Sequence, residues 1–500
     1  MFTYHSTRSE AFPVTPKEAI QRGIAPDGGL FVSDALGETQ LDISQLANMD
    51  YRAIARAVMG ALLPDFTESQ INRVVDSAYR GTFTSEEVTP LVALENDPDT
   101  YVLELYHGPT SAFKDVALQA LPHLMFCAVA DTGASERVMI VTATSGDTGK
   151  AALAGFADAP GCGITVFYPA GKVSAVQKLQ MTTQEGANVS VCAVEGNFDD
   201  AQSEVKRIFA DRALAERLQS EGVALSSANS INIGRLIPQV SYYFAAYAQL
   251  LRAHKISCGD AVEFCVPTGN FGDILAGYYA KRMGLPVSRL IVASDKNNVL
   301  IDFLNTGTYD KDREFFTTTS PSMDILISSN FERMLYYLSG NDCELVSQLM
   351  DDLSRTGSYS VSQELLSAIR AIFDGGWADE DEVSRAIRSC WEKNRYVIDP
   401  HTACGYHVLA STEKCPDSAA RVLLSTASPY KFPRVVAQSL GLFCPPNDFA
   451  CMDVLQKATG TTAPTALSSL PAREERFHDV REVTQMNAYV ERAALDLAQH

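Results

Sequence analysis

The feature that most constrains the fold begins near residue 100, where short, wholly apolar runs start to alternate with helical patterning. Val138 to Ala143, Ile164 to Tyr168, Val189 to Val194, Val262 to Val266, Leu290 to Ala293 and Val422 to Leu424 are such runs. A strand that is apolar at every position is buried on both faces, and strands separated by helices pair in parallel. The expectation is an α/β fold whose parallel sheets are covered by helices. In such sheets ligands gather outside the carboxyl ends of the strands. Three of the runs lead straight into loops of small polar residues: Thr142-Ala143-Thr144-Ser145-Gly146-Asp147-Thr148-Gly149, Pro267-Thr268-Gly269-Asn270-Phe271-Gly272-Asp273 and Ser425-Thr426-Ala427-Ser428-Pro429. The topology aims all three at one crevice.

Upstream of these lies His107 to Asp115, HGPTSAFKD. Gly108 and Pro109 break structure, Thr110 and Ser111 are helix N-cap types, and Phe113, Val116, Ala117, Ala120 and Leu121 carry a helical period. Lys114 is thereby placed in the first turn of a helix. The positive end of the helix dipole and apolar company both disfavour an ammonium there and favour a nucleophilic amine able to form a Schiff base. Taken alone, the same nine residues also suit a solvated surface lysine.

Composition narrows the function. With 46% hydrophobic residues, 500 residues are ample for two to four domains. A net charge of −20 with no offsetting basic tract excludes a nucleic-acid partner and means that any anionic substrate needs a local cationic pocket. The opening MFTYHSTRSE has no apolar leader, and no run approaches the roughly 18 residues of a membrane span, so the reading is a cytoplasmic protein. Eleven cysteines without a C-x-x-C pair read as reduced thiols and not as a zinc site, and no metal is expected.

Neither glycine-rich loop is a nucleotide fingerprint. Thr144 stands where a P-loop needs its leading glycine, Ala151 where Ser or Thr follows the lysine, and the second loop is G-N-F-G-D instead of G-x-G-x-x-G. Gly269 to Asp273 nevertheless join a strand to the helical run Ile274 to Arg282, so their N–H groups can converge on a phosphate. A bare strand-to-helix turn is the other reading of that loop.

The segments HGPTSAFKD, TATSGDTG, NSINIGR (Asn229 to Arg235), PTGNFGDILAGYYAKRMGLP and DPHTA (Asp399 to Ala403) occur in an order that resembles the threonine synthase family. These are pyridoxal-phosphate enzymes of the tryptophan-synthase-β-like fold, fold type II. YHSTRS and APDGGLFV resemble that family's N-terminal domain, so the likeness spans almost the whole chain and is nearest the longer bacterial and fungal branch. It implies that Lys114 is the lysine joined to the cofactor, that Gly269, Asn270, Phe271, Gly272 and Asp273 hold the cofactor phosphate, and that Thr426 faces the pyridine nitrogen. It further implies that Ser145, Gly146, Asp147 and Thr148 receive the substrate carboxylate.

The activity implied is that of a carbon–oxygen lyase acting on a phosphate: O-phospho-L-homoserine and water give L-threonine and phosphate, the last step of threonine biosynthesis. A dianionic leaving group calls for cations, and Lys172 in Gly171-Lys172-Val173-Ser174 and Arg235 are the candidates, with Asn229, Ser230 and Asn232 as neutral donors. Each cation also reads as an ordinary surface charge. His401 is left outside the catalytic set as a structural or supporting histidine. The alternative is a related phospholyase that eliminates phosphate and yields a 2-oxo acid; motifs barely separate the two. The expected architecture is two parallel-sheet α/β domains, a large one from 100–129 and 246–500 and a smaller, mobile one from 130–245, behind a mostly helical N-terminal domain, 1–90. The expected partner is a small-molecule substrate, and the chain is read as a monomer or homodimer.

Overall fold

The computed structural model describes residues 3–132, 137–144 and 146–499. All six apolar runs are strands of two sheets. The larger sheet has six strands in the spatial order Phe373–Trp377, Val287–Ser294, Ala261–Pro267, Ser418–Ser425, Thr100–Glu104 and Leu91–Ala93. Only the last pairing is antiparallel. The smaller sheet is parallel throughout, in the order Val480–Glu482, Val189–Glu195, Cys162–Pro169, Arg137–Ala143 and Val223–Ser226. Its Cys162–Pro169 strand is buried at all eight positions, as a run covered on both faces requires.

Two helices bring the sheets together. Lys114–Thr132 follows the large sheet's Thr100–Glu104 strand, Asp147–Phe156 follows the small sheet's Arg137–Ala143 strand, and they cross at Gly155. A Cβ on Gly155 would stand 2.0 Å from the Leu118 carbonyl oxygen, so only glycine permits this approach. The crossing holds the turn before Lys114 and the first strand-end loop at a fixed separation.

The N-terminal unit is mostly helical, as expected, and adds a small sheet. Before the helices Pro16–Arg22, Tyr51–Leu62 and Glu68–Tyr79 it builds a three-stranded antiparallel sheet in the order Ser9–Val14, Tyr4–Ser6, Phe31–Val32. These strands are six, three and two residues long, too short to show a period. The turn expected at Ala25 to Gly29 does feed a strand, Phe31–Val32. The apolar stretch from Ile43 to Leu63 forms two elements, a 3-10 turn Ile43–Asn48 and a helix begun by Asp50, whose carboxylate accepts from Ala53 N.

Residues 310–395 contain helices, among them Glu380–Asn394 with Asp379 in a capping box, but also the edge strand Phe373–Trp377 and an irregular stretch between residues 311 and 330. The chain after 246 does not all belong to the large unit. Val480–Glu482 pairs with Val189–Glu195, and the final helix Met486–Gln499 packs on the same small sheet. Among the described residues no helix is long and apolar enough to cross a membrane.

Candidate active site

Lys114 is the first residue of its helix. The turn before it is tight: a Cβ on Gly108 would lie 2.5 Å from that of Asp115. Thr110 does not cap the helix as its residue type suggests, because it donates instead, from its N–H at 2.8 Å and its hydroxyl at 2.6 Å, to the buried Asp115 carboxylate. Ser111 takes a left-handed φ of 59°, and its buried hydroxyl has no partner. The third loop is laced to this turn by Phe113 N to Thr426 O, 2.8 Å, Ser428 N to Ser111 O, 3.1 Å, and an antiparallel bridge between Ala112 and Ala427. Lys114 and Thr426 are therefore neighbours by construction, although 312 positions apart. The Thr426 hydroxyl makes no hydrogen bond to any described residue.

Burial pulls the Lys114 ammonium down to about 8; Asp147 acts against this, while Lys431 and Arg235 add to it. Its Nζ donates to Ser322 Oγ at 3.2 Å and lies 4.6 Å from the centre of the Phe113 ring. An amine with this acidity is substantially neutral near pH 8 and nucleophilic.

The second loop runs from Ala261–Pro267 into the helix Gly272–Arg282, with Phe271 in the left-handed region at φ 59°. Its carbonyls are fastened outward: Gly269 O accepts from Ser328 Oγ at 2.7 Å, and Asn270 O accepts from Asn330 N at 3.1 Å and Asn330 Nδ2 at 3.0 Å. The N–H groups of residues 269–273, in contrast, find no partner among the described residues. Fixed carbonyls and free N–H groups at a helix start form an anion cradle. The Asp273 side chain takes no part in it. Its Oδ1 accepts from the hydroxyls of Tyr242 and Tyr243, its Oδ2 is buried without a partner, and burial raises the carboxyl to about 7 against those two hydrogen bonds.

In the first loop Gly146 has φ 153°, and its N–H and that of Gly149 both donate to Thr144 Oγ1 at 3.0 Å. Ser145 lies outside the described residues. Asp147 and Thr148 open the next helix, and their N–H groups make no hydrogen bond to described residues. The Asp147 carboxylate meets Lys431 Nζ at 2.7 Å, Ser322 Oγ at 3.2 Å and Gln177 Nε2 at 3.3 Å. Burial works against its ionisation, yet Lys431 and Lys114 hold it well below the usual carboxylate range.

Arg235 is 3% exposed. Its Nη1 donates to Ala228 O at 2.6 Å, its Nε has no partner, and no carboxylate among the described residues pairs with it. Burial lowers its pKa to about 10. Lys172, expected beside it, is instead exposed in the turn after Cys162–Pro169, and the charges bearing most on Lys114 are Asp147, Lys431, Arg235 and Asp273. Asn232 is spent on the fold: its Oδ1 caps the helix Ile233–Arg252 through Gly234 N at 2.9 Å, and its Nδ2 donates to Ile20 O at 3.0 Å. Asn229 accepts from Thr142 Oγ1 at 3.3 Å, and Ser230 O accepts from Asn330 Nδ2 at 3.1 Å.

Two further groups belong here that the sequence reading passed over, together with the histidine it left outside the catalytic set. Lys431 is a fully buried cation in the Ser428-Pro429-Tyr430-Lys431 turn of the third loop, where a charged residue soon after a strand end was a usable signal. Ser322 comes from the irregular 311–330 stretch, for which periodicity gives no signal. His401 accepts from Ser322 N at its Nε2, 3.1 Å, and hydrogen-bonds Asp399 through Nδ1, 2.6 Å, so it supports the site through the serine backbone.

An amine lowered to about 8, a cradle of free N–H groups and an unpaired hydroxyl on the loop laced to the lysine's turn are the donor set that a phosphorylated aldehyde requires, and they fit pyridoxal phosphate. The fold and these donors define a pyridoxal-phosphate-dependent enzyme; residues 82–426 match that family's model. Residues 3–79 match the model for the threonine synthase N terminus and residues 402–490 that for the threonine synthase C-terminal region. The chain belongs to the threonine synthase family. It is 39% identical to the threonine synthase of Pseudomonas aeruginosa over 87% of this chain and 90% of that one, and 38% identical to that of Schizosaccharomyces pombe over 88% and 90%. The crystal structure of pyridoxal-phosphate-bound threonine synthase from Brucella melitensis superposes with a TM-score of 0.88 at 39% identity, covering 99% of this chain and 100% of that one. The structural match establishes fold type II.

Proposed function

We propose that this enzyme converts O-phospho-L-homoserine and water into L-threonine and phosphate. The observation that carries the reading is Arg235, a buried guanidinium with an unpartnered Nε, no anionic partner among the described residues, and an electrostatic effect on Lys114. The cradle at residues 269–273 suffices for the phosphate of the cofactor, so a second receptor for an anion implies a substrate that brings its own. Keeping an unpaired guanidinium out of water is costly, and a bound dianion offsets that cost through charge-assisted hydrogen bonds.

In this reading the N–H groups of residues 269–273 hold the cofactor phosphate and Lys114 binds its aldehyde carbon. Pyridoxal phosphate, when bound, supplies an electron sink that acidifies first the α and then the β carbon of an amino acid. The Thr426 hydroxyl stands toward the pyridine nitrogen; being neutral, it does not hold that nitrogen protonated as a carboxylate would. The free N–H groups of Asp147 and Thr148, at the end of the loop that carries Ser145 and Gly146, receive the α-carboxylate at a helix start. Lys114, freed by substrate, removes the α proton at Nζ; loss of a β proton then drives out the γ phosphate, Lys114 returns a proton to the γ carbon, and the α carbon regains its proton once water has added. Arg235 takes the departing phosphate, whose charge rises as the bond breaks. Water added at the β carbon completes threonine.

The chain is also 36% identical to human threonine synthase-like 1 over 85% of its length, covering 58% of that protein. The related phospholyase, which eliminates phosphate and yields a 2-oxo acid, is the reading to test against. Purified enzyme given phosphohomoserine is expected to release phosphate and threonine in equal amounts. Phosphate accompanied by 2-oxobutyrate in place of threonine overturns the synthase reading.

A further inference from the structure

Four side chains form one connected line at the centre of the site: Lys114 Nζ to Ser322 Oγ at 3.2 Å, Ser322 Oγ to Asp147 Oδ2 at 3.2 Å, and Asp147 Oδ1 to Lys431 Nζ at 2.7 Å. Ser322 is fixed from behind as well. Its N–H donates to His401 Nε2 at 3.1 Å, His401 Nδ1 is hydrogen-bonded to Asp399 at 2.6 Å, and Asp399 in turn accepts from Thr402 N and Thr402 Oγ1 in its own helix start. The acceptor role of Nε2 toward a backbone N–H places the His401 proton on Nδ1. On its third side the serine lies against the phosphate cradle: a Cβ on Gly269 would stand 2.6 Å from Ser322 O. A serine from an otherwise irregular stretch is thus tied to the lysine, to the carboxylate-loop aspartate and to a buried histidine–aspartate pair.

We propose that Ser322 is the positioning residue of Lys114: its hydroxyl accepts an N–H of the lysine while donating to Asp147, so that the lysine holds, between its two proton transfers, the proton it has just taken. The inference rests on the reading of Lys114 as the base. When Nζ takes a proton from carbon, the new ammonium gains a hydrogen bond to an oxygen that is itself polarised by a carboxylate. The proton stays on Nζ, because Asp147 is held anionic by Lys431 and is a far weaker base than the amine. No proton needs to cross the serine; Oγ keeps its own hydrogen on the Asp147 side throughout. The histidine–aspartate pair holds the Ser322 backbone while the hydroxyl acts.

The charges that face Lys114 are Asp147, Lys431, Arg235 and Asp273, and Ser322 is the only hydrogen-bond acceptor of its amine among the described residues. Removing the hydroxyl therefore acts on the ammonium form and leaves the neighbouring charges in place. The test uses the full-length chain freed of cofactor, with Ser322→Ala and Ser322→Thr beside the wild type. Reductive methylation with formaldehyde and cyanoborohydride is followed across pH, and its extent at Lys114 is read by peptide mass spectrometry. The wild-type half-point is expected at about 8. Ser322→Ala is expected to lower it by about one pH unit, the loss of one charge-assisted hydrogen bond, and Ser322→Thr to keep it. In the loaded enzyme Ser322→Ala should lower kcat several-fold with little change in KM, because the lost contact forms fully only after the proton has moved. An unchanged half-point in Ser322→Ala, or an equal displacement in both variants, overturns the proposal. Labelling requires no substrate, so a failure of the threonine assay would refute the functional reading and leave this result standing by itself.

Discussion

Replacing Arg235 by methionine separates what the residue does for the fold from what it does for the ligand. The folded chain holds the guanidinium at a pKa of about 10 because burial disfavours its charge. Against an ordinary value near 12.5, and at about 1.4 kcal/mol per pH unit, that amounts to roughly 3 kcal/mol of destabilisation. The sign follows from linkage: a base whose pKa falls on folding carries its full penalty below the folded value, so the cost is present and constant from pH 5 to 9 and is relieved only above about 10. Methionine of similar length removes this cost but also the bond from Nη1 to Ala228 O, 2.6 Å, worth about 1 kcal/mol. The variant is expected to be about 2 kcal/mol more stable, on the order of 2–4 °C in thermal midpoint for a chain this long. Its response to phosphate should be lost. The assay is thermal unfolding of the cofactor-loaded enzyme, with the cradle at 269–273 filled, in rising inorganic phosphate. The wild type gains about 2.7 kcal/mol at a hundredfold excess over its dissociation constant, and Arg235→Met gains nothing. A variant that is less stable than the wild type and shows the same rise with phosphate refutes both the burial cost and the receptor role.

Gly272→Val should weaken retention of pyridoxal phosphate in dialysis at least tenfold, while Asn270→Ser leaves it within about twofold; a Cβ at 272 meets only Asn330 Nδ2 at 3.4 Å, an ordinary contact, so the loss falls on the cradle and not on folding. Equal retention would count against a backbone site. Asp273→Asn tests the raised carboxyl: with a folded value of about 7 against an unfolded one near 3.9, the wild type loses roughly 4 kcal/mol as pH rises from 4 through 7, and the variant, whose urea midpoint should stay level across that window, does not. Parallel pH profiles would show that Asp273 ionises normally. Thr426→Asp is expected to alter the visible spectrum of the loaded enzyme and to slow threonine formation at least a hundredfold with cofactor still bound; an unchanged spectrum places that hydroxyl away from the ring.

What could be read from the sequence divides along one physical line. Signals carried by neighbours in the chain were legible: apolar runs that must be buried on both faces, glycine at a strand end, a lysine at a helix start. They located the two sheets, the three loops and Lys114. Signals that exist only after the chain closes were not. Ser322 sits in a segment without period, and nothing local distinguishes it from Ser320 two residues away. Asn232 looked like a free donor in a motif, yet both ends of its amide are taken by a helix cap and by Ile20 O, which lies 212 positions off in another unit. Lys172 and Lys431 are equally charged and each follow a strand, and only folding leaves the first in solvent and buries the second against Asp147. The return of Val480–Glu482 to the small sheet was likewise invisible, because a three-residue edge strand with exposed ends carries no pattern of its own.

The same distinction explains why a chain with a net charge of −20 binds anions at all. Its acids are mostly on the surface, where water and salt screen them within about 10 Å. Among the buried charges of the crevice the balance is reversed: Lys431 is matched by Asp147, Asp273 is about half protonated at pH 7, and Lys114 and Arg235 remain as cations in surroundings that lower both. An unliganded protein built this way folds against an electrostatic cost located at the site, and a bound phosphate removes part of it. Binding and folding are thus linked through these two residues, and the stabilisation that ligands give must be greatest for species carrying a dianion. A substrate analogue in which a neutral group replaces the phosphate would leave Arg235 uncompensated, and it should therefore protect the enzyme from thermal unfolding less than inorganic phosphate does, even though it occupies more of the crevice.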